Sequence, residues 1–265
     1  MIHKNSIVDS SAVLGKNVQI GPFSIIGKNV KLGNNVNIMN NVVIDGITEI
    51  EHNVTIFPYA SIGLIPQDLK FKGEYSKLYI GKNCKIREYV TINTGTEGGG
   101  MLTNVGENCL LMVGTHIAHD CQVGNNVIFA NNATLAGHVS VGDDAIIGGL
   151  SAVHQFVRVG EGAIIGGMSG VTSDVIPYGS VIGNRAKLNG LNLIGLKRRN
   201  IDKVEINAMR KLYKDIFEKS GPNFKDRISN LDKEFNNFFL CKKIISFLKE
   251  SNTRAICHPW IIKLL

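Results

Sequence analysis

His116, His119, His138 and His154 are four of the seven histidines of this 265-residue chain, and they gather in its middle. The aliphatic residues Ile117, Leu135 and Val153 punctuate them at intervals of eighteen. The triplets that follow read Ala118-His119-Asp120, Ala136-Gly137-His138 and His154-Gln155-Phe156. If eighteen residues make one revolution, these triplets stack along one edge, within about 10 Å at the ordinary strand spacing. Two chemistries suit such a cluster. Imidazoles are favoured metal ligands, but the His116-x-x-His119 pair lacks i, i+4 helical spacing and has no cysteine or ordered carboxylate set. A neutral imidazole can instead take a proton from a hydroxyl near pH 7. Asp120 or a backbone carbonyl would orient that base, and Gly137, one revolution past His119, would offer a bare N–H beside it. A base next to an unobstructed N–H is what acyl transfer through an oxyanion requires. No serine-centred nucleophile motif is visible, and Cys121 falls on an inward position. Direct attack by the acceptor is therefore expected rather than a covalent enzyme intermediate. Decoration of a subunit interface is the alternative use of the same histidines.

The element that must position them is a repeat of six. Val105, Leu111, Ile117, Val123, Phe129, Leu135, Val141, Ile147, Val153, Val159, Ile165 and Val171 keep one register, with a small residue four positions after each. Ile2 to Ile62 keep the same period. Glycine followed by a polar pair, as in Gly15-Lys16-Asn17, suits tight turns that need positive φ. Short strands and turns, three to a coil, predict a triangular solenoid. The narrow core would hold Val, Ile and Ala, which fits an aromatic content of 7%. Cys84, Cys109 and Cys121 fall on its small inward position and read as buried hydrophobes rather than disulfides. Two stretches break the pattern: 63–79, after which Ile80 resumes it eighteen residues beyond Ile62, and 94–104, with Gly98-Gly99-Gly100. Solenoid insertions commonly decorate a binding face, and Asp68, Lys70 and Lys72 carry charge suited to a ligand.

Residues 1–177 hold eleven Lys/Arg against fourteen Asp/Glu, whereas 178–265 hold eighteen against eight. The expected organisation is a slightly acidic solenoid over 1–177 and a basic helical domain over 178–265. Asp202 with Glu205 reads as a helix cap with its reciprocal acid. Behind it Val204, Ala208, Met209, Leu212, Tyr213, Ile216 and Phe217 trace one helical face. Gly221-Pro222 breaks the chain, Asn223 with Asp226 starts a second helix, and a short third helix covers Ile244 to Leu248. No signal peptide or membrane span is legible, so cytoplasmic residence is the default expectation. A basic tail admits nucleic acid, an acidic protein or a phosphorylated small molecule as partner.

Nearly the whole chain resembles one family, the bacterial UDP-N-acetylglucosamine O-acyltransferases that open lipid A synthesis. The resemblance rests on the hexapeptide repeats, Pro66-Gln67-Asp68-Leu69-Lys70, His116-Ile117-Ala118-His119-Asp120-Cys121, Gly137-His138-Val139 and His154-Gln155-Phe156. It extends to Gly166-Gly167-Met168-Ser169-Gly170 and to Gly190-Leu191-Asn192 running to Gly195-Leu196-Lys197-Arg198-Arg199. It implies a left-handed parallel β-helix with a small helical C-terminal domain, a homotrimer, and active sites between subunits. It also implies an (R)-3-hydroxyacyl donor held as a phosphopantetheine thioester on acyl carrier protein, with the 3-hydroxyl of UDP-N-acetylglucosamine as acceptor. No metal or other cofactor, nucleic acid or transmembrane segment is implied. Carried over, His119 is the general base, Asp120 its support, and Gly137 N–H the oxyanion donor. His116, His138 and His154 would shape the pocket and orient substrate, with Asp68 and Lys70 near the sugar and acyl group. Gln155 would contact the nucleotide, and Asn192, Arg198 and Arg199 the phosphates. Lys197, Lys203, Arg210, Lys211 and Lys214 would receive the acidic carrier protein. Gly167 sits where the family limits acyl length; glycine there suits a chain of about fourteen carbons, each buried methylene being worth ~0.8 kcal/mol. The sequence does not separate a 3-hydroxyl from a 3-amino acceptor, and a zinc-dependent hydratase or a non-catalytic trimeric scaffold could use the same solenoid.

Overall fold

The structure, a computed structural model, describes residues 1–219, 223–250 and 253–260. Strands of mostly two residues stack into three sheets of nine, eight and ten strands among the described residues. The first face runs from Ile7–Val8 to Gly170–Val171, the second from Val13–Leu14 to Arg158–Val159, and the third from Gln19–Ile20 to Lys187–Leu191. The chain visits the three in rotation. Two residues suffice for a strand because its first side chain points out and its second is buried, as in Lys31–Leu32 and Gln122–Val123. The coil repeat of eighteen is explicit in the pairing of Ile117 with Leu135 and of Leu135 with Val153. Ile, Val and Leu fill the interior together with the fully buried Phe129, and Cys84, Cys109 and Cys121 are buried and free. At most of the tight turns one residue enters the left-handed region, commonly Asn, as at Asn35 (φ 58°) and Asn126 (φ 57°).

The two insertions depart from the expected coil count. Ile62 pairs with Ile92, and Ile80 pairs with Ile50 on a different face. The eighteen-residue step from Ile62 to Ile80 is therefore a single strand-to-strand step lengthened by a loop, not a revolution. The step from Ile92 to Val105 is likewise one lengthened turn, since Ile80 pairs with Val105. Both loops leave the first face and return on the second. They thus emerge at the same corner, directly before the turns 118–120 and 136–138.

After the strand Gly179–Ile182, which still pairs along the third face, an antiparallel strand Lys187–Leu191 leads into four α-helices among the described residues. They are α1 (Leu193–Arg198), α2 (Lys203–Phe217), α3 (Phe224–Ser229) and α4 (Phe239–Lys249). Asp202 caps α2 by accepting from Val204 N at 2.7 Å. Glu205 does not reach back to complete the capping box; its carboxylate accepts from the first N–H groups of α4, Phe239 and Leu240. That use ties the two longest helices together and serves donors that α4 otherwise leaves unmet. Val204, expected on the buried face, is 61% exposed, and Ile206 packs inward instead. Asn223 caps α3 as expected. Gly221-Pro222 lies outside the described residues. Residues 253–260 return to the prism, where Ile256 bridges Asp174 and Pro259 bridges Leu188.

Candidate active site

The corner between the first and second faces carries the histidines. His119 and Asp120 occupy one turn, with Asp120 in the left-handed region (φ 61°). The backbone twist turns its carboxylate under the chain, where its side chain has no exposed surface. Oδ1 accepts from Thr96 N at 2.8 Å, while Oδ2 accepts from Thr96 Oγ1 at 2.5 Å and faces His119 Nδ1 at 2.8 Å. Asp120 N donates to Thr103 Oγ1. A buried carboxylate needs such partners, and the second loop supplies most of them. The triglycine serves this packing, because a Cβ on Gly99 would lie 1.9 Å from Asp120 Cγ.

With Nδ1 donating to Asp120, the imidazole of His119 keeps its lone pair on Nε2. One coil on, Gly137 lies against this ring: a Cβ at 137 would sit 2.5 Å from Cε1 and 2.6 Å from Nε2. Among the described residues the Gly137 N–H enters no hydrogen bond. His138, also left-handed (φ 61°), meets His119 edge-on at 5.0 Å and stacks on Phe156 at 4.5 Å. Burial lowers its pKa, with Asp120 opposing that shift and His119 adding to it; the charges of Asp68 and Lys70 also reach it. The first loop therefore stands beside the histidines. His116 faces outward on the strand before the turn, its Nδ1 2.7 Å from Thr91 Oγ1, and burial holds its pKa below the ordinary histidine value. The ligating atoms of His119, Asp120 and His138 lie within 4.8 Å of one another. That set does not suit a metal, because both Asp120 oxygens and His119 Nδ1 are already engaged.

His154 stands apart from this group. Its exposed ring receives a hydrogen bond from Arg254, whose Nε also donates to the carbonyl of Gln155. The remaining expected residues lie on other corners of the same chain. Asn192 is buried, caps α1 through Gly195 N and donates to Gly162 O. It lines a groove of about 590 Å³ outside the third face together with Arg198 and Arg199. Arg199 is paired with Asp144, whereas Arg198 is exposed. Gly167 lies at the corner between the third and first faces, where a Cβ would meet only Gly149 backbone, no nearer than 3.3 Å. Lys197, Lys203 and Arg210 line a recess of about 510 Å³ on the helical part. Lys211 pairs with Glu234 at 3.0 Å, and Lys214 is exposed at the end of α2. Sequence reasoning missed Thr96, Thr103 and Arg254; only the triglycine after Thr96 hinted that something packs against that loop.

Comparison with known proteins adds to this geometry. Residues 174–257 match the family described as Udp N-acetylglucosamine O-acyltransferase, Domain 2, and residues 11–46 and 103–137 match the bacterial transferase hexapeptide family. The chain is 51% identical to the acyl-[acyl-carrier-protein]–UDP-N-acetylglucosamine O-acyltransferase of Rickettsia canadensis, covering 97% of each chain. The enzyme of the same name from Azorhizobium caulinodans is 48% identical, covering 98% of this chain and 95% of that one. Among solved structures, LpxA from Acinetobacter baumannii matches with a TM-score of 0.93 and 42% identity, covering 96% of this chain and 99% of the other. The fold class is accordingly a left-handed parallel β-helix followed by a small helical region. Identity of this extent, sustained from the first coils to the last helix, makes the chain a member of the UDP-N-acetylglucosamine O-acyltransferase family.

Proposed function

We propose that the chain transfers an (R)-3-hydroxyacyl group from acyl carrier protein to the 3-hydroxyl of UDP-N-acetylglucosamine, with His119 as general base. The observation that carries the mechanism is the His119–Asp120 pair lying over Gly137. His119 Nε2 takes the hydroxyl proton as the sugar oxygen attacks the thioester carbonyl. The Gly137 N–H, which has no hydrogen-bond partner among the described residues, would meet the resulting oxyanion. When that intermediate collapses, the carbon–sulfur bond breaks and the phosphopantetheine sulfur takes the proton from His119. His116 and His138, whose pKa values burial lowers, shape the pocket with Asp68 and Lys70. The reaction needs no metal or other cofactor, since base, oxyanion donor and activated acyl group suffice.

The placement of the other residues supports a homotrimer with sites between subunits. The histidines lie at the first-to-second corner, Gly167 at the third-to-first corner and the Asn192–Arg198–Arg199 groove outside the third face, so a substrate that meets all three would span a junction of copies. The ridge at the third-to-first corner has the character such a junction needs: Phe23, Tyr59, Tyr89, Leu150 and Met168 are each at least half exposed. His154, Gln155, Asn192, Arg198 and Arg199 would meet the nucleotide and phosphates, and Gly167 would border the acyl chain. Lys197, Lys203, Arg210, Lys211 and Lys214 would receive the carrier protein, whose use as donor implies action in the cytoplasm.

The direct test is the product mass after incubation with UDP-N-acetylglucosamine and 3-hydroxyacyl carrier proteins of graded length. One acyl increment, released by mild base as expected of an ester, is the expected result. No product, or a base-resistant amide formed only with a 3-amino sugar, would overturn the assignment.

A further inference from the structure

We propose that Arg254, carried on the C-terminal strap, is a positioning residue that fixes His154 as a hydrogen-bond donor to the sugar nucleotide; the substrate part of this inference rests on the function proposed above. Residues 253–260 leave the helices and run back across the end of the β-helix. Asp174 N donates to Ala255 O at 2.8 Å, Cys257 N to Asp174 O at 2.7 Å, and Leu188 N to His258 O at 3.0 Å. Cys257 is buried against the core, so the strap is anchored immediately beyond Arg254. That anchoring brings Arg254 to the histidine corner, a hundred positions along the chain from His154.

The guanidinium there acts as a fork. One N–H donates to His154 Nδ1 at 2.8 Å, and Nε donates to the Gln155 carbonyl at 3.0 Å. Guanidinium nitrogens only donate, and the group stays protonated. His154 Nδ1 must therefore be the acceptor, which puts the ring proton on Nε2. The competing arrangement would have Nδ1–H donate to the Gln155 carbonyl, but that separation is 3.3 Å and the oxygen is already taken by Arg254. His119, on the same corner, has the opposite polarity: its Nδ1 faces a carboxylate acceptor, so its Nε2 carries a lone pair. One corner thus presents a base and a donor made from the same residue type, sorted by what touches Nδ1. The exposed His154 ring has no partner at Nε2 among the described residues. An Nε2–H in that position suits an oxygen of the sugar nucleotide.

The tautomer is testable in the unmodified protein, independently of turnover. Imidazole ¹⁵N shifts of the histidine-labelled full chain, with the His154 signals assigned by their loss in His154→Gln, should show the proton on Nε2. A proton on Nδ1 would overturn the proposal without affecting the acyltransferase reading, whereas a chain that acylates no sugar nucleotide would sink that reading and leave the tautomer standing. In Arg254→Met the Nδ1–H form should grow in, and KM for UDP-N-acetylglucosamine should rise about five- to tenfold, the scale of one misdirected hydrogen bond. kcat and the KM for the acyl carrier protein should stay within about twofold. Arg254→Lys, which keeps one donor, should recover part of the loss. An unchanged sugar-nucleotide KM in Arg254→Met, or a loss confined to kcat, would overturn the assignment.

Discussion

At the corner between the second and third faces, Asn17, Asn35, Asn53, Asn83 and Asn108 stand one above another. Each of the first four donates from Nδ2 to the Oδ1 of the next at 2.9–3.1 Å. At the corner between the first and second faces, the same left-handed position holds Asp120, His138 and Phe156. The backbone is nearly identical at the two: φ is 60° at Asn53 and 61° at Asp120 and His138. The Asn corner is exposed and unbroken, and each side chain repeats its neighbour's hydrogen bond. The histidine corner is interrupted by both long insertions, and its carboxylate is buried beneath one of them. A repeating coil therefore supplies equivalent, stiff positions, and the side chains placed there decide whether an edge adds stability or does chemistry. Strain in the left-handed region is offset at the first corner by a self-matching ladder, and at the second by Thr96 and Thr103 reaching in from a loop.

The comparison breaks most sharply at His119. His119→Ala should lower kcat by about 10²-fold or more while leaving the melting temperature nearly unchanged; steady-state rates near those of the unmodified protein would remove it as base. Gly137→Ala comes next. Its methyl must push the His119 ring from its seat, and a displacement of about 1 Å can cost on the order of 10² in rate. Burst and steady-state kinetics should locate that loss in the acyl-transfer step.

A smaller effect belongs to the basic rim. Arg210→Glu should raise KM for the acyl carrier protein severalfold at low salt and leave that for the sugar nucleotide unchanged, with the difference fading as salt rises. Lys211 is the weaker test because Glu234 already holds it. On the other corner, Asn53→Ala should cost about 1–2 kcal/mol by thermal or denaturant unfolding, from a broken ladder and a strained φ. Asn53→Gly should recover the backbone part, and neither change should alter kcat.

The smallest effect is one of pH. Burial lowers the pKa of His116 below the ordinary 6.5. As pH falls, the unfolded chain takes this proton first, so the contribution of His116 to stability is complete above about pH 6.5 and is lost as pH falls from there toward the folded pKa. Unfolding of His116→Gln across pH 5 to 8 should show a shallower acid-side decline than the unmodified chain.

The repeat of six, the inward positions of Cys84, Cys109 and Cys121, and the stacking of Gly137 on His119 were all legible in the sequence. A local backbone period of eighteen residues brings equivalent positions into line from coil to coil, whichever way the coil winds. The caps at Asp202 and Asn223 were legible for the same reason, since each is made within three residues. Contacts that no period announces were not. Ile80 shifted to a different face because an inserted loop adds residues without adding a revolution. Glu205 turned from its own helix to α4, Thr96 came back over Asp120, and Arg254 reached His154 across the chain. Which nitrogen of each histidine carries its proton depends on those partners. The sequence by itself thus determined where the side chains stand along the column, because repetition is local; the tertiary structure alone decided what each one faces, because burial and hydrogen bonding are made by residues far apart in the chain.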